Sequence, residues 1–530
     1  MTEKMKVLVA EKIADSGIEM LKESFDVEVK LGLSTEDLVA EIPAYHGLIV
    51  RSATKATREI IEAGVNLKII GRAGVGVDNV EVQAATERGI IVCNAPTSNI
   101  VSAAEHTIAL MLAQARNIAQ ANASMKEGRW ERSKFTGAEV YEKTLAIFGL
   151  GRIGSLVAER ARGLGMRIIG YDPYLTEERA HSMGVELIAD VNEILPQADF
   201  ITVHLPKTKE TIGMFGPEQF ALMKDGVRLV NTARGGIYQT EALQEALTSG
   251  KVASAAIDVF EVEPCTDSPF LGFDSVILTP HLGASTAEAQ DRAGEQIAEY
   301  VGAGLLGKMV PTAVNIAPIP PDVLDQVGPY IEPAEDLGKM VAQMARGGVE
   351  SIDVLMVGGL AGMDTRILRT AVLKGLLTVV GAESVNFVNA DYYAEQRGLR
   401  VTETNRAETH DYVSMVVVRA ATAEGPVEIG AALVGKKNEP RLVTVLDYDV
   451  DLKPARNMAF FLYPDRPGMI GKVGTILGGE GINIGAMQVA RKEKGGEALM
   501  CLTVDTPLGG ELLDRIVAEA DMSTAWSVEL

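Results

Sequence analysis

Cysteine is scarce in this chain. Its 530 residues include only Cys93, Cys265 and Cys501, far apart and without metal-ligand spacing. That excludes a disulfide framework and a cysteine-rich metal site, and it fits reduced thiols in a cytosolic protein. No metal is expected. Long hydrophobic runs are also missing. No 18-residue apolar span occurs, and the opening MTEKMKVLVAEKI reads as a strand with charged flanks, without a signal-peptide core. The chain is expected to be cytoplasmic, with no membrane partner. Positive charge is in short supply: 50 Lys and Arg against 72 Asp and Glu leave a net charge of −22. This excludes a general binder of nucleic acid or anionic membrane. It does not exclude an anionic ligand, because a local arginine cluster can sit on an acidic protein. Apolar residues are plentiful at 47%, enough for several cores, and the length calls for roughly three or four domains.

The stretch Thr144–Asp172, TLAIFGLGRIGSLVAERARGLGMRIIGYD, organises the rest. An apolar strand (Thr144–Phe148) meets Gly149, Gly151 and Gly154 in G-x-G-x-x-G spacing. A helical pattern follows, then a second strand (Arg167–Tyr171) ending in Asp172. Gly149 permits a tight turn, Gly151 leaves room for a pyrophosphate, and Gly154 lets the helix approach the sheet. The helix N-terminus offers free N–H groups to the phosphates. Asp172 is placed to accept hydrogen bonds from ribose hydroxyls and would repel a 2′-phosphate. The expected cofactor is NAD.

Strands and helices alternate on both sides of this stretch, which implies doubly wound parallel sheets. In the first unit, Gly47–Val50 ends in Arg51-Ser52-Ala53-Thr54. Leu67–Gly71 ends in Arg72 and the turn Ala73-Gly74-Val75-Gly76. Ligands gather beyond the carboxyl ends of such strands, so Arg51 and Arg72 are candidate anion holders, helped by backbone N–H groups of the glycine turn. Ser102–Ala121 reads as one long buried helix, with His106 expected as a packed core histidine. A basic loop, Gly128–Phe135, follows and contains Arg132 and Lys134. In the dinucleotide unit, successive strands end near Arg234, Glu263 and His281. Oxidising an alcohol needs a base, a charge to support that base, and a cation to hold the substrate. Histidine, a carboxylate and an arginine suit these three roles. The helix from Thr286 to about Gly304 should lead back to the first unit. The Pro-rich break Ala317-Pro318-Ile319-Pro320-Pro321 marks a linker. Beyond it come an α+β region with hairpins and, last, a βαββαβ module of about 75 residues.

GLGRIG, VNTARGG, DVFEVEP and TPHLGAST, in this order and spacing, resemble the D-isomer-specific 2-hydroxyacid dehydrogenases. The resemblance implies catalysis by Arg234, Glu263 and His281. It implies NAD contacts from the glycine turn (Gly149, Gly151, Arg152, Ile153, Gly154), from Asp172, from Thr232, Ala233 and Arg234, and from Asp258 with His281, Leu282, Gly283 and Ala284. RSATKAT, GRAGVGVDNVE and NAPTSN narrow it to the branch acting on 3-phosphoglycerate at the start of serine synthesis. Arg51, Ser52, Arg72, Gly74, Val75 and Asn99 would then meet substrate, with Arg132 or Lys134 reaching in from another subunit. The tail around Asp465-Arg466-Pro467-Gly468 and Gly481-Ile482-Asn483-Ile484 resembles an ACT domain. It would bind an effector, L-serine, through Tyr463, Asp465 and Asn483 in a homodimer or homotetramer. A second anion site at Arg441, Lys453 and Arg456 is a lesser expectation. The implied fold class is α/β: a doubly wound catalytic part of two domains, flavodoxin-like for substrate (1–98 and 285–318) and Rossmann for NAD (99–284). An α+β regulatory domain (319–455) and an ACT domain (456–530) follow. The competing readings are a dehydrogenase for an unphosphorylated 2-hydroxyacid and a non-catalytic NAD-sensing protein.

Overall fold

A computed structural model describes residues 4–317, 319–381, 384–409 and 411–530; Pro318 of the expected linker lies outside them. The short apolar runs of the first unit form five parallel strands: β1 (Lys6–Val9), β2 (Asp26–Val29), β3 (Gly47–Val50), β4 (Ile69–Arg72) and β5 (Ile91–Asn94). Their order is β2-β1-β3-β4-β5, the flavodoxin-like arrangement. The second unit contains β6 (Thr144–Phe148), β7 (Arg167–Tyr171), β8 (Glu186–Leu187), β9 (Phe200–Val203), β10 (Val227–Asn231), β11 (Val252–Ile257) and β12 (Val276–Leu278). Its order, β12-β11-β10-β9-β6-β7-β8, reverses between β6 and β9. That reversal opens a crevice at the carboxyl ends of the strands, as in a Rossmann sheet.

Two helices tie the units together. The Ala287–Leu305 helix, capped by the Thr286 hydroxyl, returns to the first sheet and buries Ile297, Ala298 and Val301 in its core. The segment expected as one helix from Ser102 to Ala121 is two, Ile100–Ala115 and Ile118–Lys126. Asn117 breaks it by taking a left-handed backbone (φ 50°), which asparagine tolerates better than most residues. Cys93 and Cys501 are buried, and burial pushes both thiols up to about 12, so neither is reactive at neutral pH.

The carboxy-terminal half holds β13 (Val349–Gly358), β14 (Arg400–Arg406), β15 (Ser414–Thr422), β16 (Val427–Val434), β17 (Glu439–Val445) and β18 (Tyr448–Leu452) in one mixed sheet. The last module contains β19 (Asn457–Pro464), β20 (Ile484–Arg491), β21 (Glu497–Val504) and β22 (Thr524–Glu529), ordered β20-β21-β19-β22. Alternation along β19 sends Ala459, Phe461 and Tyr463 to the module's own helices. Met458 and Phe460 go the other way, into a core built from Leu337, Met340, Met344 and Ile352 of the preceding region. The two regions therefore share one hydrophobic core. Among the described residues, no helix is long and apolar enough to cross a membrane, and no group of three or more His, Cys, Asp or Glu could hold a metal ion.

Candidate active site

Asp258 anchors the site. Its carboxylate is wholly buried (0%) and fully occupied. Thr279 Oγ1 (2.5 Å) and the Leu282 N–H (2.8 Å) donate to Oδ1, and the Gly283 N–H (2.9 Å) donates to Oδ2. His106 Nε2 stands 3.2 Å from the same carboxylate. Burial pushes this acid up, but the hydrogen bonds from His106, Thr279 and Leu282 outweigh it and hold it below the usual range. Asp258 thereby pins the turn that presents His281. The His281 N–H donates to the Asp258 carbonyl (2.8 Å), and His281 takes a left-handed backbone (φ 56°) that these bonds compensate. His106 belongs to this network; spacing along an apolar helix carries no signal for that.

His281 Nδ1 lies 2.7 Å from Glu263 Oε2. The other Glu263 oxygen accepts from the Phe260 N–H (2.9 Å). Burial raises the Glu263 carboxyl, but the His281 and Phe260 bonds win and lower it, so it is ionised at neutral pH. The pair is open to solvent, the His281 side chain at 46%, on the rim of the cleft.

Arginines from both units come together, Arg72 from the first and Arg234 from the second. Arg72, at the end of β4, is pushed down to about 10 by burial and by nearby Arg234. Its buried Nε has no hydrogen-bond partner among the described residues. A Cβ on Gly74 would come within 1.6 Å of Arg72 Nη1, and one on Gly76 within 2.4 Å of Arg234 Nη2, so the glycine turn lets both guanidiniums lie against the backbone. The Gly74 N–H itself donates to the Arg72 carbonyl (2.8 Å). Arg234 stands 3.6 Å from Asp78, whose side chain is 70% exposed. Its turn is shaped by Asn231, which accepts from the Ala233 N–H (3.0 Å) and donates to the Arg234 carbonyl (2.9 Å). Thr232 bonds Thr107 (2.7 Å). Asn99, next to the first residue of the Ile100–Ala115 helix, has a buried, unpaired Oδ1. Arg51 and Ser52 sit on the turn after β3. Exposed Arg132 opens the short turn Arg132–Phe135 after the Ile118–Lys126 helix.

The residues fit NAD. Gly151 precedes the Arg152–Gly163 helix with no side-chain cap, and a Cβ there would meet nothing within 4 Å. The space is open where a pyrophosphate would approach. A Cβ on Gly154 would instead meet the Gly149 carbonyl at 2.0 Å. Asp172 ends β7 and accepts from the Leu150 N–H (2.9 Å) and the Tyr174 N–H (3.0 Å), with acceptor capacity to spare for hydroxyls. These glycines make opposite predictions. Gly151→Ala should melt with the wild type but bind NADH at least about tenfold more weakly. Gly154→Ala should lose at least about 1–3 kcal/mol of stability. Melting curves and NADH fluorescence titration separate the two.

In the last module, Tyr463 is 2% exposed in the core. Asp465 pairs with Arg491 (3.2 Å) and accepts from the Gly495 N–H (3.3 Å). Asn483 precedes the other end of β20, roughly 25 Å away. In the preceding region, Arg441 pairs with Asp451 (3.5 Å) and Arg456 with Glu529 (3.2 Å).

The fold and cleft define a class of enzyme. The family model for the NAD-binding domain of the D-isomer specific 2-hydroxyacid dehydrogenases matches residues 108–283. Structures covering 57–58% of the chain agree. The TT0316 protein of Thermus thermophilus is 32% identical with a TM-score of 0.54, all of it covered. A D-lactate dehydrogenase of Aquifex aeolicus, complexed with NAD and lactic acid, is 29% identical with a TM-score of 0.51, 96% of it covered. This is an NAD-dependent oxidoreductase of that class.

The remaining residues narrow it. Models of the D-3-phosphoglycerate dehydrogenase intervening domain and of the ACT domain match residues 326–446 and 458–521. A D-3-phosphoglycerate dehydrogenase of Synechocystis is 44% identical across 99% of this chain and 95% of its own length. One of Methanocaldococcus jannaschii is 46% identical across 97% of each. The chain belongs to the D-3-phosphoglycerate dehydrogenase family.

Proposed function

We propose that the protein oxidises 3-phospho-D-glycerate to 3-phosphohydroxypyruvate, the first step of L-serine synthesis. The observation that carries this is the 2.7 Å His281–Glu263 pair, beyond the same sheet's strand ends as Arg234, which lies against the first unit's glycine turn near Arg72. NAD, held by the Gly149–Gly154 turn, Asp172 and the residues around Thr232, Asp258 and Leu282–Ala284, supplies the hydride acceptor. With Nδ1–H directed at Glu263, His281 Nε2 is left to take the proton of the C2 hydroxyl. Glu263 supports the imidazolium that forms. Arg234 grips the C1 carboxylate, displacing Asp78, and helps align C2. Arg51 and Arg72 hold the phosphate. In the reverse direction His281 returns the proton. Two features favour a homo-oligomer. Arg132, on an exposed loop, suits a neighbouring cleft. Asp465 and Asn483 stand at opposite ends of β20, so a serine site using both needs two copies side by side. The three unpaired cysteines suit the cytoplasm.

The test is NADH formation with 3-phosphoglycerate, with D-glycerate and with added L-serine. Turnover of the phosphorylated acid and loss of rate with serine are expected. Equal turnover of D-glycerate would move the reading to a general 2-hydroxyacid dehydrogenase, and a rate indifferent to serine would remove the feedback role.

A further inference from the structure

The turn carrying Arg51 is clamped from both sides by groups outside the catalytic set. From below comes Glu11, just beyond β1. Its Oε1 accepts from the Arg51 N–H (2.8 Å) and the Thr54 N–H (2.8 Å), and its Oε2 from the Ala53 N–H (3.3 Å). Three backbone donors converge on one carboxylate, the concave arrangement that elsewhere cradles a bound anion. From the other side comes Asn79. Its Nδ2 donates to the Arg51 carbonyl (2.6 Å) and the Thr54 carbonyl (2.6 Å). The Asn79 main chain continues the seam: its carbonyl accepts from the Ala56 N–H (2.8 Å), and the Glu81 N–H donates to the Ala56 carbonyl (3.0 Å).

We infer that Glu11 and Asn79 are positioning residues for the phosphate end of the substrate. They fix the Arg51–Thr54 turn in the one shape that brings Arg51 to the cleft, and they lock it to the Ala73–Asn79 turn that follows Arg72 and carries Asp78. This rests on the reading of Arg51 as a phosphate holder. Without the clamp, a polar turn of four residues would sample many conformations, and substrate would have to order it on binding, a cost taken from affinity. Among the described residues, the Arg51 guanidinium bonds only the Lys12 carbonyl (3.1 Å); the backbone beneath it does the positioning. The N–H groups of Arg51, Ala53 and Thr54 are already taken by Glu11, so the phosphate is met by side chains and not by this backbone concavity. The side-chain bonds of Glu11 and Asn79 go to this turn and not to His281 or Glu263, so the clamp sets affinity for the phosphorylated end and leaves the chemical step alone.

The decisive comparison uses the whole enzyme and four variants: Glu11→Ala, Glu11→Gln, Asn79→Ala and Arg51→Ala. Glu11→Gln keeps an oxygen for the two 2.8 Å bonds and loses only the longer one, so it should stay within about threefold of wild-type KM. Glu11→Ala and Asn79→Ala should raise KM for 3-phosphoglycerate about tenfold. For both, kcat and the KM for NAD should stay within about threefold. Their kcat/KM for D-glycerate should be unchanged, a selectivity that a merely unfolded or loosened domain would not show. A KM unchanged in both alanine variants would overturn the clamp. So would losses shared equally by phosphorylated and unphosphorylated substrates. If Arg51→Ala itself leaves KM for 3-phosphoglycerate untouched, the reading of Arg51 fails instead. If Arg51→Ala raises it and the clamp variants do not, only the clamp fails.

Discussion

Replacing His281 with asparagine should lower kcat for 3-phosphoglycerate oxidation by at least about 100-fold, and up to about 10,000-fold. NADH affinity should change little. The reasoning is geometric. His281 is held by backbone bonds to Asp258, and its ring is oriented by Glu263; asparagine can keep the turn but cannot take a proton at neutral pH. Glu263→Gln should cost less, about 10- to 100-fold, because the amide oxygen still accepts from Nδ1 but cannot balance the imidazolium. The informative variant is the double one. If the two side chains act as one unit, His281→Asn combined with Glu263→Gln should be no slower than His281→Asn alone. Steady-state rates for the four proteins settle it. A wild-type-like kcat for His281→Asn, or penalties that simply multiply, would remove the acid–base assignment.

The candidate residues could be picked out along the chain because each lies at a strand end. In a parallel sheet those ends share one edge, so Arg234, Glu263 and His281 follow the neighbouring strands β10, β11 and β12, while Arg72 ends β4 of the other sheet. The glycine spacing reports a local steric fact, and Gly151 and Gly154 show two different ones, open space and a packed carbonyl. Other features carry no local signal. Glu11 and Asn79 act on a turn 40 and 28 residues away from them. His106 sits on an apolar helix where its bond to Asp258 depends on two helices and a sheet being assembled first. The break at Asn117 turns on one residue's tolerance for a left-handed backbone, which a hydrophobic period does not register. The shared core of the carboxy-terminal half was hidden for a further reason. Period-two alternation announces that β19 has two buried faces but not what covers each of them.

That core sets the largest stability effect expected. Phe460 is fully buried among residues of both carboxy-terminal regions; Phe460→Ala should cost about 3–5 kcal/mol. The loss should fall on both regions at once, because polar bonds lock the same seam. The Gln343 side chain donates to the Glu529 carbonyl (2.8 Å) and accepts from the Glu529 N–H (2.9 Å), and Trp526 Nε1 donates to the Met344 carbonyl (3.0 Å). The Arg346 guanidinium lies 5.6 Å over the Trp526 ring. A chain ending at residue 455 would therefore leave Leu337, Met340 and Met344 without their cover, an apolar face prone to aggregation. It should show proteolysis of residues 319–455 and a lost or broadened second melting transition. A chain ending at residue 317 carries no such exposed half and keeps the separate cores of the two catalytic units. It should still form NADH. Removing more of the protein is thus expected to do less harm than removing the last module alone. If the chain ending at 455 melts and resists protease like the full-length protein, the two regions are independent and the shared core contributes nothing.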